Sequence, residues 1–524
     1  MKSSRLLLAA LALAVAVKAA LLAAQAVPFN SDEAVVGLMA RHINDGALPL
    51  FFYGQAYMGS LDAFLVAGVF RVFSEAVWGI RLVQIALYAV YLGTLWLLAR
   101  RFFGEQAASF TVLVAAIPPV VVSTYTTATL GGYGETLLFG NLILFLGYEV
   151  TLGAWQEKLL AWLALGLIGG LAFWTLGMAG VYLLPIGILG LRHFRLNRLG
   201  CYSLAALAFI AGSLPWWMVN FTSNGEALGV LLGTSRLEVI PTTPWDRLIG
   251  LVFLGVPALI GIRAPWEAHY IPPGEVFLGV ILFLGVIFFL FEGRRKGYFQ
   301  VAEGAGGLLA LFVGGFLVVF IGSHFGLDAT GRYLLPLYAP LAMGTGLLAS
   351  WLWRKRAVYG AVFIGLVLLF NSAETWRAAA SPAGLTTQFD PITRFDNAHD
   401  AELIDFLHEQ GETRGYANYW VTFRLAFLSR EEILFSPRLP YKADLSYTEN
   451  DNRYPAYEAA AAQSPRAAYI TTLHPTLDEQ LRSGFARLGI RFREQQIGPY
   501  HVFYALSGPV RPEELNLIVP RPAP

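Results

Sequence analysis

Residues 29–46, FNSDEAVVGLMARHINDG, follow closely on an apolar N-terminal segment. The apolar residues of this stretch recur with helical spacing up to the turn Asn44–Asp45–Gly46, so we predict a helix lying along the membrane surface. One polar residue is enough to cap the start of a helix. Here three polar residues, Ser31, Asp32 and Glu33, follow one another, which is more than capping requires. We predict that one of the three caps the helix while another faces a polar cavity; the alternative is that Asp32 is only the cap.

The composition indicates an integral membrane protein. Apolar residues make up 56% of the 524 residues and charged residues only 14%, where soluble domains carry roughly 25%. The mean hydropathy is +0.55. A net charge of +1 gives no sign of a nucleic-acid partner. The single cysteine, Cys201, allows no disulfide and no cysteine-based metal site within the chain, and we interpret it as a small buried apolar residue.

The N-terminal segment allows two interpretations. A basic start, an apolar run and the end Ala24–Gln25–Ala26 fit a signal peptide. They also fit an uncleaved first transmembrane helix, with Lys18 extending towards the membrane surface. Because many more apolar segments follow, the helix is the favoured interpretation.

A helix needs about 20 apolar residues to cross a bilayer, and by that criterion we predict about eleven transmembrane helices. The predicted spans lie near 5–26, 78–99, 107–125, 135–153, 159–175, 177–191, 200–219, 275–292, 305–322, 333–353 and 357–372.

Lysine and arginine concentrate in cytoplasmic loops, which fixes the sides of the predicted spans. Basic residues at 2–5, 100–101, 192–198, 294–296 and 354–356 then fall on one side. The short apolar run 248–262, interrupted by Pro257, is predicted to be re-entrant or interfacial, since a crossing there would reverse the sides. The N-terminus is then cytoplasmic and the tail extracytoplasmic, with the chain in a cell membrane.

Two domains follow from this division. Residues 1–372 form the multi-pass transmembrane domain. Residues 373–524 carry no spanning segment, and their alternating helix and strand patterns predict a small soluble α/β domain, with helices ended by Gly411 and Gly489 and strands in RAAYITTL and HVFYAL. The predicted fold class is a polytopic α-helical membrane protein with this extracytoplasmic domain.

A discontinuous set of polar residues falls in the predicted external loops, where ionisable groups near membrane depth are costly and usually functional. It consists of Asp32, Glu33, Tyr53, Gln55, Tyr57, Asp62, Tyr133, Glu135, His324, Asp328, Arg332 and Tyr333.

Several of these residues have a structural alternative. Glu135 follows the glycine-rich turn GGYGET, residues 131–136, and can simply favour a helix N-terminus. Arg332 can bind a phosphate with two hydrogen bonds, or pair with Asp328 four residues earlier. Arg81, one turn into the second span, is either buried and paired or in contact with a lipid phosphate.

In combination, four motifs resemble the GT-C superfamily of membrane glycosyltransferases. They are SDEA at 31–34, WGIRLV at 78–83, GGYGETLLFG at 131–140 and GRYLLPLYAPL at 331–341, joined in the tail by 414–437. The likeness covers nearly the whole chain and is greatest to the protein O-mannosyltransferase-like and aminoarabinose-transferase-like group called family 39.

The resemblance implies a donor in which a sugar is linked to a polyprenyl phosphate, and transfer on the external side of the membrane. It implies that Asp32 is the catalytic carboxylate, with Glu33 its neighbour, and that Arg81 approaches the donor phosphate. The chain departs from the mannosyltransferases at GQAYMGS, residues 54–60, where they carry a His-Pro-Pro-Leu-Gly-Lys type of segment. This departure disfavours mannose as the sugar and protein as the acceptor.

The expected chemistry is glycosyl transfer with Asp32 as the general base. Besides Arg81, the residues predicted to bind the donor phosphate are Arg332, Tyr333 and His324. The residues predicted to line the substrate cavity are Tyr53, Gln55, Tyr133 and Glu135. A lipid-phosphate donor carries no diphosphate that requires a metal, so no cofactor is required, and a divalent cation is compatible but not implied. The expected partners are the donor, the bilayer and an acceptor that is a lipid, a glycan or a protein.

Other functions fit a polytopic chain with polar external loops. A transporter or flippase of lipid-linked sugars would show paired repeats and broken helices near the midplane, and we find no repeat. A ligase of lipid-linked glycans and a non-catalytic sensor that uses the tail are the remaining alternatives, because fold alone does not prove function.

Overall fold

The computed structural model describes residues 3–232, 242–328 and 330–517, with the backbone alone at Ser3, His324 and Leu327. The α-helices are α1 Ser3–Ala23, α2 Ser31–Asn44, α3 Leu61–Val72, α4 Val77–Phe103, α5 Glu105–Ala116, α6 Val120–Tyr125, α7 Tyr133–Thr151, α8 Leu159–Thr175, α9 Gly180–Arg192, α10 Leu199–Gly212, α11 Leu214–Thr222, α12 Glu226–Leu232, α13 Pro244–Gly250, α14 Val256–Leu259, α15 Pro273–Lys296, α16 Ala305–Gly322, α17 Tyr338–Lys355, α18 Ala357–Ala379, α19 Asp400–Gln410, α20 Tyr419–Leu428, α21 Pro455–Gln463 and α22 Pro475–Arg487. The strands are β1 Arg414–Ala417, β2 Leu434–Ser436, β3 Ala468–Thr472, β4 Arg493–Ile497 and β5 Tyr500–Tyr504.

Each of the predicted spans is helical. Among the described residues, six helices are long and apolar enough to cross a membrane, and the pair α10–α11, bent by 61°, makes a seventh if it is one span. The remaining predicted spans are the helices α5–α6, α7, α8 and α9. The pair α5–α6 is broken, α8 and α9 have 17 and 13 residues, and α7, with 19 residues, does not meet the combined criterion of length and hydropathy. The chain is therefore a multi-pass membrane protein, while eleven crossings stay a prediction. The run 248–262 is a short helical segment that continues from α13 through a π-helical turn into α14.

The chain divides into two compact units, which do not follow the predicted domains. The first unit, here called the helical unit, contains Met1–Gln25, Ala56–Asp62 and Arg81–Ala380. The second, here called the tail unit, contains Ala26–Gln55, Ala63–Ile80 and Ser381–Pro524. Most of the first loop thus belongs to the same compact unit as the tail, which the prediction of two consecutive domains did not include.

Glycines allow close helix packing in the helical unit. A Cβ added at Gly166 or Gly170 of α8 would stand 2.2 Å and 2.1 Å from the carbonyl oxygens of Ala205 and Phe209 in α10. Small residues four apart are the means by which membrane helices bring their backbones together. Any side chain at these two positions would force α8 and α10 apart.

Lys18 of α1 points into the helical unit, so the expectation that it extends towards the membrane surface is wrong. Its ammonium group donates to the Thr126 carbonyl at 2.8 Å, to Thr126 Oγ1 at 2.9 Å and to Thr127 Oγ1 at 2.8 Å. It also lies 4.2 Å from the centre of the Tyr88 ring. These contacts fully satisfy a buried cation, and they fix the segment that leads into α7.

The tail unit contains a five-stranded sheet in the order β2-β1-β3-β5-β4. β1 pairs in parallel with β2 and β3, and β5 is antiparallel to both β3 and β4. Separate apolar clusters cover its two faces. The predicted α/β domain is confirmed: the predicted helices are α19 and α22, with Gly411 and Gly489 in left-handed conformations at φ 70° and 69°, and the predicted strands are β3 and β5.

Candidate active site

The start of α2 is capped by a residue that sequence reasoning missed. Asn30 has an extended conformation, and its side chain accepts a hydrogen bond from the Glu33 backbone N–H at 3.1 Å. The prediction that Ser31 or Asp32 is the cap is therefore wrong. Ser31 donates instead to the Tyr419 carbonyl at 2.7 Å, and Glu33 is fully buried.

With the capping role taken by Asn30, the Asp32 carboxylate is available for other contacts. It is partly exposed, and its Oδ1 accepts a hydrogen bond from the Tyr419 hydroxyl at 2.5 Å. Burial, and then the charge of Asp32, raise the pKa of Tyr419 well above its usual value, so this hydroxyl keeps its proton and acts as the donor. The Arg453 guanidinium lies 5.4 Å from the centre of the Tyr419 ring.

The backbone just before α2 is held by the tail. Asn397 accepts from the Phe29 N–H at 2.7 Å and donates to the Phe29 carbonyl at 3.0 Å. Arg424 also donates to that carbonyl at 3.4 Å. Arg424 is fully buried, pairs with Asp400 at 3.2 Å and donates to the Tyr500 hydroxyl. These contacts fix the position of Asp32 through the backbone three residues earlier.

A second polar cluster, which we call the Glu431 cluster, joins the C-terminal half of α2 to the tail. It consists of Glu431, Arg41, His42, Tyr53, Tyr454 and Tyr457. Glu431 accepts from Arg41 at 3.3 Å and from Tyr457 at 2.7 Å, and lies 3.0 Å from His42 Nε2. Tyr53 lies 2.8 Å from His42 Nδ1 and stacks on Tyr454 with ring centres 4.8 Å apart. Tyr53 thus has a structural role in this cluster beside its predicted place in the substrate cavity.

The Glu431 cluster predicts a dependence of stability on pH. Burial alone would raise the pKa of Glu431, but hydrogen bonds from His42, Tyr457 and Arg41 lower it from 4.5 to about 2. A depressed folded-state pKa gives stability that is present above pH 4.5 and is lost as the pH falls towards 2. Because the carboxylate is partly exposed, we expect Glu431→Gln to cost about 1–2 kcal/mol at pH 7.

Thermal unfolding of the purified protein between pH 7 and pH 3 checks this expectation. The difference between wild type and Glu431→Gln should shrink as the pH falls below 4.5. The exposed neighbour Glu432 provides the matched control, and Glu432→Gln should unfold like wild type throughout. A Glu431→Gln deficit that stays constant down to pH 3 would mean that its charge is not the cause.

In the helical unit, Arg332 and Tyr333 begin the segment that leads into α17. Arg332 Nε lies 2.7 Å from Asp328 Oδ2, so the ion pair that sequence reasoning left open is present. The guanidinium also lies 4.8 Å from the centre of the Tyr333 ring, and it interacts electrostatically with Tyr133 and Tyr125. Arg332 is therefore a partly exposed arginine that is paired with one carboxylate and has tyrosines nearby.

Next to Arg332 lies a largely apolar cavity of about 320 Å³. Its wall is formed by α8, α9 and α16, with Tyr57, Ser323 and Tyr333 as polar residues. Phe173, Leu184, Phe316 and Phe320 are among its apolar side chains. A cavity of this kind fits a hydrocarbon chain whose polar end lies at the tyrosines.

Two buried carboxylates, Asp62 and Glu135, stand at the first turns of α3 and α7 in this unit. Asp62 accepts from Thr129 at 2.8 Å, and the two carboxylates interact electrostatically. The turn before α7 needs glycine, since Gly131 and Gly132 have φ of 92° and 80°. The predicted tight turn at GGYGET is thus confirmed. Glu135 lies in the first turn of α7, where a negative charge favours the helix N-terminus, as its structural alternative predicted.

The predicted site residues are thus distributed between the units. In the helical unit Tyr57, Tyr133, Asp328, Arg332 and Tyr333 come together. Glu135 and Arg81 are buried there as well. Asp32, Glu33, Tyr53 and Gln55 belong to the tail unit, and the side chain of His324 lies outside the described residues. In the described ranges no group of three or more His, Cys, Asp or Glu side chains could hold a metal ion.

Sequence reasoning missed Asn30, Tyr419 and Arg453. Asn30 lies immediately before a predicted helix, so its residue type was a usable capping signal. Tyr419 lies 387 residues from Asp32 and Arg453 contacts the Tyr419 ring, and no local pattern in the sequence indicates either contact.

Comparison with known proteins places the fold in a class. Crystal structures of ArnT from Cupriavidus metallidurans, in the apo state and bound to undecaprenyl phosphate, superpose with TM-scores of 0.59 and 0.60. The two superpositions include 96% and 97% of this chain, and 98% and 99% of the ArnT chains. The sequence identities are 14% and 13%. The chain therefore has the fold of these two crystal structures, and the predicted fold class is confirmed.

Sequence comparison points to the same group. Residues 60–218 match the family described as dolichyl-phosphate-mannose-protein mannosyltransferase. Over 330 residues the chain is 26% identical to the undecaprenyl phosphate-alpha-4-amino-4-deoxy-L-arabinose arabinosyl transferase of Pseudomonas paraeruginosa (strain DSM 24068 / PA7), and over 332 residues 26% identical to that of Pseudomonas aeruginosa (strain UCBPP-PA14). The matches cover 59% of this chain and span 58% of the length of these curated relatives. The predicted resemblance to aminoarabinose-transferase-like glycosyltransferases is confirmed.

Proposed function

We propose that this protein is a membrane glycosyltransferase that moves a sugar from a polyprenyl-phosphate-linked donor to an acceptor hydroxyl on the extracytoplasmic side. The observation that carries this proposal is the apolar cavity of about 320 Å³ with Tyr57 and Tyr333 in its wall and Arg332 beside it. The apolar cavity would hold a lipid chain, and Arg332 beside it would bind the phosphate at the end of that chain. The names of the relatives, which specify undecaprenyl phosphate and a transferred sugar, support it.

The donor would bind through two kinds of contact. Its hydrocarbon chain would fill the apolar part of the cavity, since burial of apolar area is favourable by roughly 25 cal/mol per Å². Its phosphate would accept hydrogen bonds from Arg332 and from the hydroxyls of Tyr57 and Tyr333. As the sugar leaves, negative charge grows on this phosphate, and a cation placed there stabilises the transition state.

The acceptor would be activated by Asp32. An acceptor hydroxyl forms a bond to the anomeric carbon and gives its proton to the Asp32 carboxylate. The bond from the anomeric carbon to the phosphate oxygen breaks, and polyprenyl phosphate leaves with the electron pair. Because that leaving group is already an anion, little acid assistance is needed, and no metal ion is required by these steps.

The donor-binding role of Arg332 predicts opposite effects for two variants. Arg332→Gln should weaken binding of undecaprenyl phosphate about tenfold, since a hydrogen bond to a charged group contributes about 1.5–3 kcal/mol and Asp328 already offsets part of the charge. Asp328→Asn keeps an acceptor for Thr330, which donates to Asp328 from its backbone at 2.8 Å, but leaves Arg332 unneutralised, so binding should tighten.

Titration of the purified variants with undecaprenyl phosphate in detergent, followed by native mass spectrometry, measures both effects. Arg247→Gln, which changes another partly buried arginine of the helical unit that donates to the Ile321 carbonyl at 3.1 Å, serves as the control. Equal affinities for Arg332→Gln and Arg247→Gln would remove Arg332 from the phosphate site.

The donor class is tested by turnover. We propose undecaprenyl phosphate-linked 4-amino-4-deoxy-L-arabinose as the first donor to assay, on the names of the relatives, beside other undecaprenyl-phosphate sugars and with total membrane extract as the acceptor. Release of undecaprenyl phosphate together with transfer of the sugar supports the proposal. A cytoplasmic N-terminus and an extracytoplasmic tail are part of it, and labelling of cysteines introduced at Asp45 and Lys296 in intact cells tests the two sides.

A further inference from the structure

The tail contributes a side chain directly to the surroundings of Asp32. Tyr419 is the first residue of α20, and its hydroxyl is the donor to Asp32 Oδ1 at 2.5 Å. The sheet fixes this residue in turn. Asn418 caps α20 by accepting from the Val421 N–H at 3.2 Å, and it donates to Thr472 of β3 at 2.9 Å.

The contact between Tyr419 and Asp32 is supported by a second hydrogen bond and is largely buried. Ser31, the residue before Asp32, donates to the Tyr419 carbonyl at 2.7 Å, so the starts of α2 and α20 are joined through backbone as well as side chain. Tyr419 is 3% exposed, and Arg453 covers its ring. Because the Tyr419 phenol is buried and fixed in position, it holds the Asp32 carboxylate in one orientation. A mobile phenol would not do so.

We infer that Tyr419 is a positioning residue for Asp32: it occupies Oδ1, so that Oδ2 is the oxygen that takes the proton from the acceptor hydroxyl. This inference rests on the proposed function. It gives the tail a part in the reaction, since the sheet, through Asn418 and Tyr419, orients the carboxylate that acts as the base.

Two tyrosine variants test the inference. Tyr419→Phe removes the hydroxyl that contacts Asp32. Tyr469→Phe is the matched control, because Tyr469 is a buried tyrosine of the same unit whose hydroxyl donates to the Val510 carbonyl at 2.6 Å. In the part of the chain that the structure describes, Tyr441, Arg453 and Asp451 interact electrostatically with the Asp32–Tyr419 pair, and both variants leave them unchanged.

The first readout does not depend on turnover. Each variant loses one hydrogen bond made by a buried tyrosine hydroxyl, so thermal unfolding of the two purified variants should show similar, small losses of stability. Both variants should bind undecaprenyl phosphate like wild type.

The second readout is the pair of kinetic constants for donor consumption. Tyr419→Phe should lower kcat about tenfold and change KM for the donor by less than about twofold, whereas Tyr469→Phe should match wild type. In the Asp32→Asn background Tyr419→Phe should lower the residual rate no further, because it acts through Asp32. Equal kcat values for Tyr419→Phe and Tyr469→Phe, or the same tenfold fall in the Asp32→Asn background, overturn the inference. No donor consumption by wild type, or full turnover by Asp32→Asn, would instead contradict the proposed function.

Discussion

Asp32→Asn is expected to abolish sugar transfer while leaving the fold and donor binding intact. The asparagine has the same shape, and its carbonyl oxygen can still accept the hydrogen bond that Tyr419 donates to Asp32 Oδ1. It cannot take a proton from the acceptor hydroxyl at neutral pH. General-base catalysis contributes about 10²- to 10⁴-fold to a rate, so kcat should fall by at least a hundredfold.

Asp45→Asn is the matched control for this experiment. Asp45 follows α2 at its other end and is exposed, so the substitution makes the same chemical change on the same helix without touching the site. Turnover by both variants should be measured with thermal unfolding and undecaprenyl phosphate binding as checks of integrity. If Asp32→Asn retains more than about a tenth of wild-type kcat, Asp32 is not the general base.

Arg424→Met is expected to cause the largest loss of stability in the tail unit. Arg424 is fully buried, pairs with Asp400 at 3.2 Å, and lies 5.0 Å from the centre of the Phe395 ring. Removing one partner of a buried ion pair leaves a desolvated charge, which costs about 3–5 kcal/mol. Part of that loss should be recovered when Asp400→Asn is added, because the orphaned carboxylate is then neutral.

Arg482→Met provides the comparison. Arg482 pairs with Glu494 at 2.8 Å at the surface of the same unit, where an ion pair contributes about 0–1 kcal/mol. Chemical unfolding followed by the tryptophan signal, with Trp420 in the tail, measures the two losses. Equal losses for Arg424→Met and Arg482→Met would show that the buried pair does not support the fold.

The local features of this protein could be predicted from its sequence. Among the described residues, apolar runs predict each of the six helices that are long and apolar enough to cross a membrane, because the bilayer demands long apolar segments. Gly411 and Gly489 mark helix ends because they have left-handed conformations at φ 70° and 69°. Gly131 and Gly132 mark the turn before α7 for the same reason. These signals lie within the segment that they describe.

Contacts between residues that are far apart in the sequence could not be predicted in this way. Lys18 resembles a membrane anchor in sequence, and only the position of Thr126 and Thr127 makes it a buried crosslink. Arg332 and Asp328 are four residues apart, so their pairing was foreseen as one of two outcomes. Tyr419 meets Asp32 across 387 residues, and a single sequence carries no information on such a pair.

Donor consumption by the purified wild-type protein in vesicles tests the proposed transfer reaction. Undecaprenyl phosphate-linked 4-amino-4-deoxy-L-arabinose and other undecaprenyl-phosphate sugars are offered with membrane extract, and mass spectrometry follows both the lipid and the sugar. The proposed function predicts that one donor is cleaved, with release of undecaprenyl phosphate and transfer of its sugar. A donor that binds and crosses the vesicle membrane intact, without cleavage, would contradict it and indicate a transporter.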